Sequence, residues 1–465
     1  MSQPQTLDVD DVTTRPAAED RAVRLTRAIL ADLFGPPARR AFAVRLWNGV
    51  TEAPAPPIRP RFTLVLRDSG SLRRMLLPPS ELGIVESYIR GDIDVEGDLE
   101  AGAGIADIVS GRLRSPRSVA RLLRHLLALP SGGVRRPPAA RQGRARELGR
   151  LHSKGRDAAV IRFHYDVSNE FYALWLDRRM LYSCAYFRTG AESLDAAQVA
   201  KLDHICRKLR LAPGERLLDI GCGWGALVIH AAEHYGVHAH GVTLSEAQGA
   251  LARERIAAAG LQDRCLVEVR DYRDLPRGAT YDKVSSVGVV EHIGRPQLAT
   301  YFATAYRLTR PGGIFLNHCL INNGRTPPLT PLRWAADRLW RRGEFIDRYV
   351  FPDSKLLPVA EIIAAAERAG LEARDVENLR DHYALTTRHW VRRLESRHAE
   401  VAALVGEAGY RVWRLYMAAG ARMQATGRNG IVQIIFARPE HDGRTPLPLT
   451  RADLYTSDAR GEATG

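Results

Sequence analysis

A glycine-rich turn between an apolar run and a helical pattern constrains the fold of this 465-residue chain more than any other feature. The segment LLDIGCGWGA spans 217–226, with Asp219 closing the apolar run and Gly221, Gly223 and Gly225 in the turn. Glycines at this spacing let the backbone turn sharply and let a ligand approach the main chain. A strand, such a turn and a helix in this order predict the first unit of a doubly wound α/β sheet.

Strand-like and helix-like runs alternate along the rest of the chain from residue 157, as in a doubly wound, mostly parallel sheet. The strand-like runs are 215–220, 237–244, 266–272, 282–289, 313–319 and 431–437. The helical runs are 224–235, 246–259 and 359–370, and a late strand follows the last of them. We therefore predict one α/β domain over residues 157–439 and a polar tail over 440–465.

The residues around the turn indicate which ligand it holds. The spacing is G-x-G-x-G, not the G-x-G-x-x-G of dinucleotide sites, and Asp219 would repel a pyrophosphate but accept from a cationic aminoacyl group. The turn therefore predicts an S-adenosylmethionine site. Many methyltransferases carry an acid for the ribose where this chain has Thr243, so Gln248 is the candidate ribose contact. Asp271 and Tyr272 end the third strand and are predicted to hold the adenine.

The chain before residue 157 predicts three parts. Residues 1–19 are polar and acidic without periodicity, which is typical of disorder. Residues 20–111 predict a small α/β domain, in which FTLVLR (62–67) and LRRMLL (72–77) both resemble strands. Residues 112–156 form a basic helix and linker, with a helix over 116–129 that begins at Pro116 and is capped by Ser115.

The net charge of +14 is concentrated in this basic stretch, where Arg and Lys face a single acid, Glu147. A basic helix followed by a basic linker suits an anionic membrane surface, although a solvated tether between domains explains the charge equally well. Nucleic acid is disfavoured, because few aromatic residues interrupt the run for base stacking.

Five widely spaced cysteines indicate no metal site and fit a reduced cytosol. The N-terminus lacks the features of a signal peptide, and no run reaches the roughly 20 apolar residues that span a bilayer. We therefore expect a cytoplasmic protein that meets the inner membrane at its surface.

Several chemistry-bearing residues lie outside the turn, and each alone is more often an ordinary core residue. They are Cys184 in MLYSCAYF, Glu291 and His292 in GVVEHIG, His318 in FLNHC and Tyr383 in HYALTTRHW. Together with HYDVSNEFYALWLD (164–177), GVTLSEAQ (241–248), RDYRDL (270–275) and RYVFPDSKLLP (348–358), they resemble the cyclopropane-fatty-acyl-phospholipid synthase family. This family includes the mycolic acid cyclopropane synthases, and the resemblance covers most of residues 62–437.

The resemblance implies a class I methyltransferase with a seven-stranded sheet and a small N-terminal α/β lipid-binding domain. It implies methyl transfer from S-adenosylmethionine to a cis double bond of an unsaturated phospholipid acyl chain, after which loss of a proton closes a cyclopropane ring. A bound bicarbonate would be the base. By match, it would be held by Glu291, His318 and Tyr383 and by backbone groups of Cys184 and Leu320. The implied cofactor contacts are Tyr182, Ser183, Gly223, Thr243, Gln248 and Tyr272.

Three departures from the family pattern leave the product open. Leu320, Asn317 and Val290 replace residues more usual in the family, and the last two are expected to alter the pocket wall. A methylene-branched chain is therefore an alternative product. A small-molecule N- or O-methyltransferase and a non-catalytic membrane-binding module are more distant alternatives. The family also allows a homodimer, although no residue here indicates one.

Overall fold

The computed structural model describes residues 11–77, 80–112, 116–131, 153–165, 168–323, 344–352 and 354–455. The strands are β1 Ala43–Arg45, β2 Thr51–Glu52, β3 Phe62–Leu66, β4 Ile93–Gly97, β5 Arg216–Ile220, β6 His238–Thr243, β7 Cys265–Val269, β8 Tyr281–Val287, β9 Thr309–Asn322, β10 Glu372–Asn378 and β11 Asn429–Ala437.

Helices surround both sheets. They are α1 Asp11–Phe34, α2 Ser71–Leu76, α3 Glu81–Arg90, α4 Leu99–Gly102, α5 Ile105–Arg112, α6 Pro116–Ala128, α7 Lys154–Tyr165, α8 Asn169–Ala173, α9 Leu194–Lys208, α10 Ala226–Tyr235, α11 Glu246–Ala258, α12 Val290–Ile293, α13 Leu298–Leu308, α14 Glu344–Tyr349, α15 Val359–Arg368, α16 Arg380–Ser396, α17 His398–Ala425 and α18 Ala452–Tyr455.

The chain divides into two compact units. The first comprises Met1–Gln142, Pro327–Tyr349 and Glu407–Arg422, and the second comprises Gly143–Thr326, Val350–Gly406 and Met423–Gly465. The sequence predicts an N-terminal domain that ends at residue 111, whereas the structure adds part of α17 to this unit. Arg411 explains why, because its guanidinium lies 2.9 Å from the carboxylate of Asp94 on β4.

The N-terminal unit contains a four-stranded sheet in the order β2-β1-β3-β4, in which β1 and β3 are parallel. Two expectations for this unit differ from the structure. Residues 72–77 do not form a strand, because Leu72, Met75 and Leu76 are buried at helical spacing in α2. Residues 11–19 belong to helix α1, although their polar sequence predicts disorder.

The basic helix α6 begins at Pro116, as predicted, while Ser115 lies outside the described residues. Its apolar side is buried through Leu122 and Leu126, and Arg121 pairs with Asp32 on α1 at 3.0 Å. The apolar face of α6 therefore belongs to the core of this unit, and its basic face is the part left for solvent.

The second unit contains a seven-stranded sheet in the order β10-β11-β9-β8-β5-β6-β7. Strands β5 to β9 run parallel to one another, and β11 runs antiparallel to both β9 and β10. Each strand predicted from the sequence of this unit overlaps an observed strand. The central strands are apolar almost throughout, because helices cover both faces of the sheet.

Part of the predicted polar tail, 440–455, lies within the described residues and contacts this unit. Arg451 lies 2.6 Å from Asp375 on edge strand β10, and Asp453 accepts from Arg210 at 2.8 Å. Leu454 is buried. These described residues of the predicted tail therefore contribute to the fold.

Candidate active site

The turn after β5 has the backbone geometry that its glycines predict. Gly221, Gly223 and Gly225 have φ of 77°, 55° and 81°, a region that favours glycine. A side chain at Gly221 would also collide with Val289, because its Cβ would lie 2.6 Å from that residue's Cγ2. A Cβ at Gly223 would meet no protein atom within 4 Å, so this position opens into space that a ligand can occupy.

A cavity of about 170 Å³ lies at the carboxyl ends of the parallel strands. Most of the predicted cofactor residues line it together. They are Tyr182, Ser183, Asp219, Gly221, Gly223, Thr243, Gln248 and Tyr272. Gly225 is not part of the lining and instead caps the N-terminus of α10.

The end of β6 carries a hydrogen-bonded polar pair where many methyltransferases have an acid. The Thr243 hydroxyl donates to Oε1 of Gln248 at 2.8 Å, and both side chains are buried in the cavity wall. Ser245 caps α11 by accepting from the backbone N–H of Gln248 at 3.2 Å. Because Thr243 occupies the amide oxygen of Gln248, the amide N–H₂ group is the donor that this residue offers to a ligand.

Asp271 does not line the cavity, in contrast to its predicted role beside the adenine. Its carboxylate pairs with Arg273 at 2.6 Å and also accepts from that residue's backbone N–H at 2.9 Å. The Arg273 guanidinium bonds Asp157 at 3.0 Å and lies over the Tyr272 ring, 5.6 Å from its centroid. Asp271 thus holds two lining residues, Arg273 and Tyr272, in place.

Sequence reasoning assigns no role in the site to four residues that line or support the cavity: Asn169, Lys201, Trp224 and Arg273. The Trp224 indole N–H donates to the side chain of Asn169 at 2.8 Å, which fixes the ring in the cavity wall. Both residues lie within stretches that carry the family resemblance, so their position there was the available signal.

The carboxylate at the end of β5 is almost fully buried. Asp219 accepts from the Ser285 hydroxyl at 2.7 Å, and burial raises its pKa to about 7, against the opposing effects of Ser285 and Lys201. This group therefore changes charge close to neutral pH.

Glu291 lies on the short helix α12, one turn beyond the strand end that lines the cavity. The backbone N–H groups of Glu291 and Leu320 stabilise its charged form, but burial dominates and raises its pKa to about 7. Its Oε2 atom is buried and makes no hydrogen bond to the described residues. A buried carboxylate oxygen in this state is a strong acceptor without a donor.

His318 lies on β9 and has a defined tautomer. Gln433 lies opposite His318 on the neighbouring strand β11, and its side-chain amide nitrogen is 3.1 Å from Nδ1 of His318. An amide nitrogen can only donate, so Nδ1 of the imidazole accepts and its Nε2 carries the proton. Burial lowers the pKa of His318 to about 3, which keeps the ring neutral. Nε2 is buried and has no hydrogen-bond partner in the described part of the chain. It is therefore a donor that awaits an acceptor.

The backbone brings the remaining predicted residues to the same end of the sheet. Gly288, three residues before Glu291, donates its N–H to the His318 carbonyl at 2.8 Å. Leu379, one turn before Tyr383 on α16, donates to the carbonyl of Ile431, which pairs with Leu320 in the sheet.

The segment that contains Cys184 is hydrogen-bonded to helix α16, which also carries Tyr383. The backbone N–H of the next residue, Ala185, donates to the Thr386 hydroxyl at 3.0 Å. The Cys184 side chain is fully buried, and burial raises the pKa of its thiol. A thiol in this environment is not a nucleophile, so any part it takes in the site falls to its backbone.

Asn317 and Val290 do not belong to the wall of this cavity, contrary to the sequence-based expectation. The Asn317 side chain accepts from the Tyr301 hydroxyl at 2.7 Å and is fully buried, and Val290 packs in the core cluster on that face of the sheet. Alternation along β9 places Asn317 on the opposite face from His318. These two residues therefore offer no structural argument about the product.

A sheet of this strand order, with one reversed strand and a glycine turn at a cavity beside its first strand, defines a class I S-adenosylmethionine-dependent methyltransferase. The family model described as mycolic acid cyclopropane synthetase matches residues 152–434, and the chain belongs to this family.

The curated relatives carry names of lipid-modifying enzymes. A probable fatty acid methyltransferase of Pseudomonas putida is 39% identical over 89% of this chain and 95% of its own length. The probable fatty acid methyltransferase Rv3720 of Mycobacterium tuberculosis is 36% identical over 83% and 89% of the two chains. The cyclopropane-fatty-acyl-phospholipid synthase of Escherichia coli is 36% identical over 63% of this chain and 71% of that protein.

Solved structures agree with this assignment. Mycolic acid cyclopropane synthase CmaA1, complexed with SAH and CTAB, is 30% identical, with a TM-score of 0.56 over 63% of this chain and 99% of that one. The protein is thus a lipid-modifying methyltransferase that uses S-adenosylmethionine. Among the described residues, no helix is long and apolar enough to span a membrane.

Proposed function

We propose that this enzyme transfers the methyl carbon of S-adenosylmethionine to a cis double bond in an unsaturated phospholipid acyl chain and closes a cyclopropane ring. The observation that supports the proposal is that two predicted site residues keep buried polar atoms without a partner among the described residues, Glu291 Oε2 and His318 Nε2. Neither residue lines the cofactor cavity, but Gly288, which does, donates its N–H to the His318 carbonyl and precedes Glu291 by three residues. An N- or O-methyltransferase has a nucleophile with a lone pair on its substrate. An alkene has none, and ring closure also requires a base held beside a cation.

The cavity residues supply orientation and exclude water. S-adenosylmethionine, when bound, supplies an electrophilic methyl group. The glycine turn lets the backbone approach this molecule, while Trp224 and Tyr272 provide flat apolar walls and Gln248 provides an amide donor. A weak nucleophile such as an alkene needs this alignment in a dry site.

The residues at the ends of β8 and β9 fit a small oxyanion that keeps one proton. Neutral His318 donates from Nε2, whereas the Glu291 carboxylate accepts a hydroxyl proton. Bicarbonate has this combination of groups, and when bound it would supply the base that removes a proton from the added methyl group. Tyr383 and the backbone of Cys184 and Leu320 complete the proposed set. The Leu320 N–H already stabilises the Glu291 carboxylate.

A methylene-branched chain is the second candidate product. The names of the Pseudomonas putida and Mycobacterium tuberculosis Rv3720 relatives, probable fatty acid methyltransferases, favour it specifically. Both products arise from one cation. Loss of a proton from the added methyl group closes the ring, whereas a hydride shift along the chain before this loss leaves a methylene branch.

The proposed substrate lies in an anionic membrane surface, which the protein meets from the cytoplasmic side. Support comes from the net charge of +14 and from the basic face of α6, whose apolar face is buried in its own unit. Attraction of this kind requires no inserted segment. A homodimer is compatible with this proposal but is not required by it.

Product analysis tests the proposal directly. The enzyme is incubated with S-adenosylmethionine and vesicles of a defined cis-monounsaturated phosphatidylglycerol, and the extracted lipid is examined by proton NMR. Ring protons far upfield are the expected result, while vinyl protons of a methylene group would establish the second candidate. Vesicles of the saturated lipid are the control. Absence of both signals with unsaturated lipid, in a protein that binds the cofactor product, would refute the proposed substrate.

A further inference from the structure

A buried lysine in the cofactor cavity has no role in the chemistry described so far. Lys201 lies on α9 and is only 1% exposed, yet it lines the cavity together with Ser183 and Asp219. Its Nζ donates to the Ser183 hydroxyl oxygen at 2.9 Å. Because lysine is almost never fully buried unless it is paired, its position demands an electrostatic explanation.

Three groups favour the charged ammonium of Lys201: Asp177, Cys184 and Asp219. Asp177 is already engaged by the backbone, since it accepts from Arg179 at 2.9 Å and from Leu181 at 2.7 Å. The Cys184 thiol is neutral, because burial raises its pKa. Asp177 has the largest of these effects on Lys201, whereas Asp219 is the acid that lines the cavity together with it.

Asp219 has few other sources of stabilisation. Ser285 donates one hydrogen bond at 2.7 Å, and Lys201 is the cation that favours the carboxylate. Two buried thiols, those of Cys206 and Cys222, also face it, and burial raises the pKa of both. Burial raises the pKa of Asp219 to about 7 and lowers that of Lys201 to about 8, so the lysine is still charged where the acid titrates.

We propose that Lys201 is a positioning residue, which fixes Ser183 by its hydrogen bond and keeps Asp219 ionised to receive the cationic aminoacyl group of the cofactor. This role rests on the assignment of the cavity to the cofactor, but not on the lipid substrate. The Lys201 ammonium would thereby act on two parts of the lining, Asp219 at the strand end through its charge and Ser183 through a hydrogen bond.

The same helix provides a matched control. Lys208 is equally buried, but it pairs with Glu377 at 2.5 Å and with Asp375 at 3.6 Å, and it does not line the cavity. Loss of either lysine removes a buried charge. Only loss of Lys201 is expected to change how the cofactor site responds to pH.

The test measures binding of S-adenosylhomocysteine by calorimetry between about pH 5.5 and about pH 8.5, without lipid. Wild-type affinity is expected to weaken as Asp219 is protonated below about pH 7. In Lys201→Met, the pH at which half of this loss of affinity occurs, the binding midpoint, should move upward by about one pH unit. The reason is that the cation that favours the Asp219 carboxylate is gone. Affinity at pH 7 should then fall about tenfold. Lys208→Met should keep the wild-type midpoint, and Lys201→Arg should restore most of it.

Lys201→Gln serves as a second neutral variant, because its amide can still donate to Ser183. An unchanged or lowered midpoint in either folded neutral variant would overturn the proposal. Failure of both to fold while Lys208→Met folds would also overturn it, since Lys201 would then be structural. If the wild-type protein does not bind S-adenosylhomocysteine at any pH, the cofactor assignment itself fails. Normal binding without lipid turnover would instead count only against the proposed substrate.

Discussion

At the residue scale, Glu291 combines burial with an unused acceptor atom, and this combination has a measurable pH signature. Burial raises its pKa to about 7, so the carboxylate is lost as the pH falls through this value. If the carboxylate holds the base, turnover at saturating cofactor should fall below about pH 7. Glu291→Gln should lower turnover by roughly 100-fold or more and remove this pH dependence, while S-adenosylhomocysteine affinity stays within about threefold.

Glu377→Gln is the matched control for this experiment. Glu377 pairs with Lys208 and His204, its pKa is lowered to about 2, and it has no role in the proposed site. Its loss should leave the pH profile of turnover unchanged. Wild-type turnover in Glu291→Gln would remove Glu291 from the proposed site.

Gln433 offers a second prediction, because it sets the tautomer of His318. Without its donor at 3.1 Å, the imidazole proton is no longer confined to Nε2. Gln433→Leu should lower turnover about tenfold and leave S-adenosylhomocysteine affinity unchanged. Gln424→Leu, at another buried glutamine, is the control for general loss of stability. Equal effects of the two variants on turnover would argue against a specific role for Gln433.

At the element scale, two glycines beside β5 allow the cost of backbone strain to be measured apart from the cost of a steric collision. Gly221 has a φ of 77° and a Cβ there would lie 2.6 Å from Val289, whereas Gly214 has a φ of 83° and open space around it. Gly214→Ala should cost about 1 kcal/mol from strain alone. Gly221→Ala should cost about 2–4 kcal/mol, because the collision is added to the strain. Chemical denaturation of both variants measures the difference, and equal losses would contradict the argument.

Packing around each element also explains which strands and helices can be predicted from the sequence. Strands such as β5 and β9 are recognisable because helices cover both of their faces and require nearly continuous apolar residues. The sequence of 72–77 wrongly predicts a strand, because six residues are too few to separate alternation from helical spacing. Helix α17 illustrates a different limit, since the assignment of Glu407–Arg422 to the first unit depends on distant partners such as Asp94.

The candidate site also contains residues that the sequence predicts and residues that only the structure shows. Residues in conspicuous motifs, such as Asp219 and Gly223, were predictable because their chemistry and their spacing agree. Lys201 was not, because a lysine on an amphipathic helix is ordinarily solvated and only the packing shows that it is buried. Asp271 was predicted to line the cavity, but an ion pair two residues along the chain turns it towards Arg273.

At the scale of the whole molecule, we expect its charge to govern association with membranes. Five arginines lie in a segment outside the described residues: Arg135, Arg136, Arg141, Arg144 and Arg146. Replacing all five with glutamine should weaken binding to anionic vesicles by about 1 kcal/mol for each charge that approaches the surface. Added salt should weaken wild-type binding more than binding of the variant. Cosedimentation measures this effect, with zwitterionic vesicles as the control, and salt-independent binding would exclude an electrostatic role.

The division of α17 between the two units bears on how far this chain can be shortened. Beyond Gly406, the chain leaves the methyltransferase unit, and Arg414 donates to the Tyr88 hydroxyl of the N-terminal unit at 2.9 Å before the chain returns at Met423. Trp413 and Met417, which are buried in the full chain, belong to this excursion. A truncated protein that began near residue 152 would keep these apolar side chains but lose residues 1–142 of their unit, so it would expose an apolar patch of the kind that promotes aggregation.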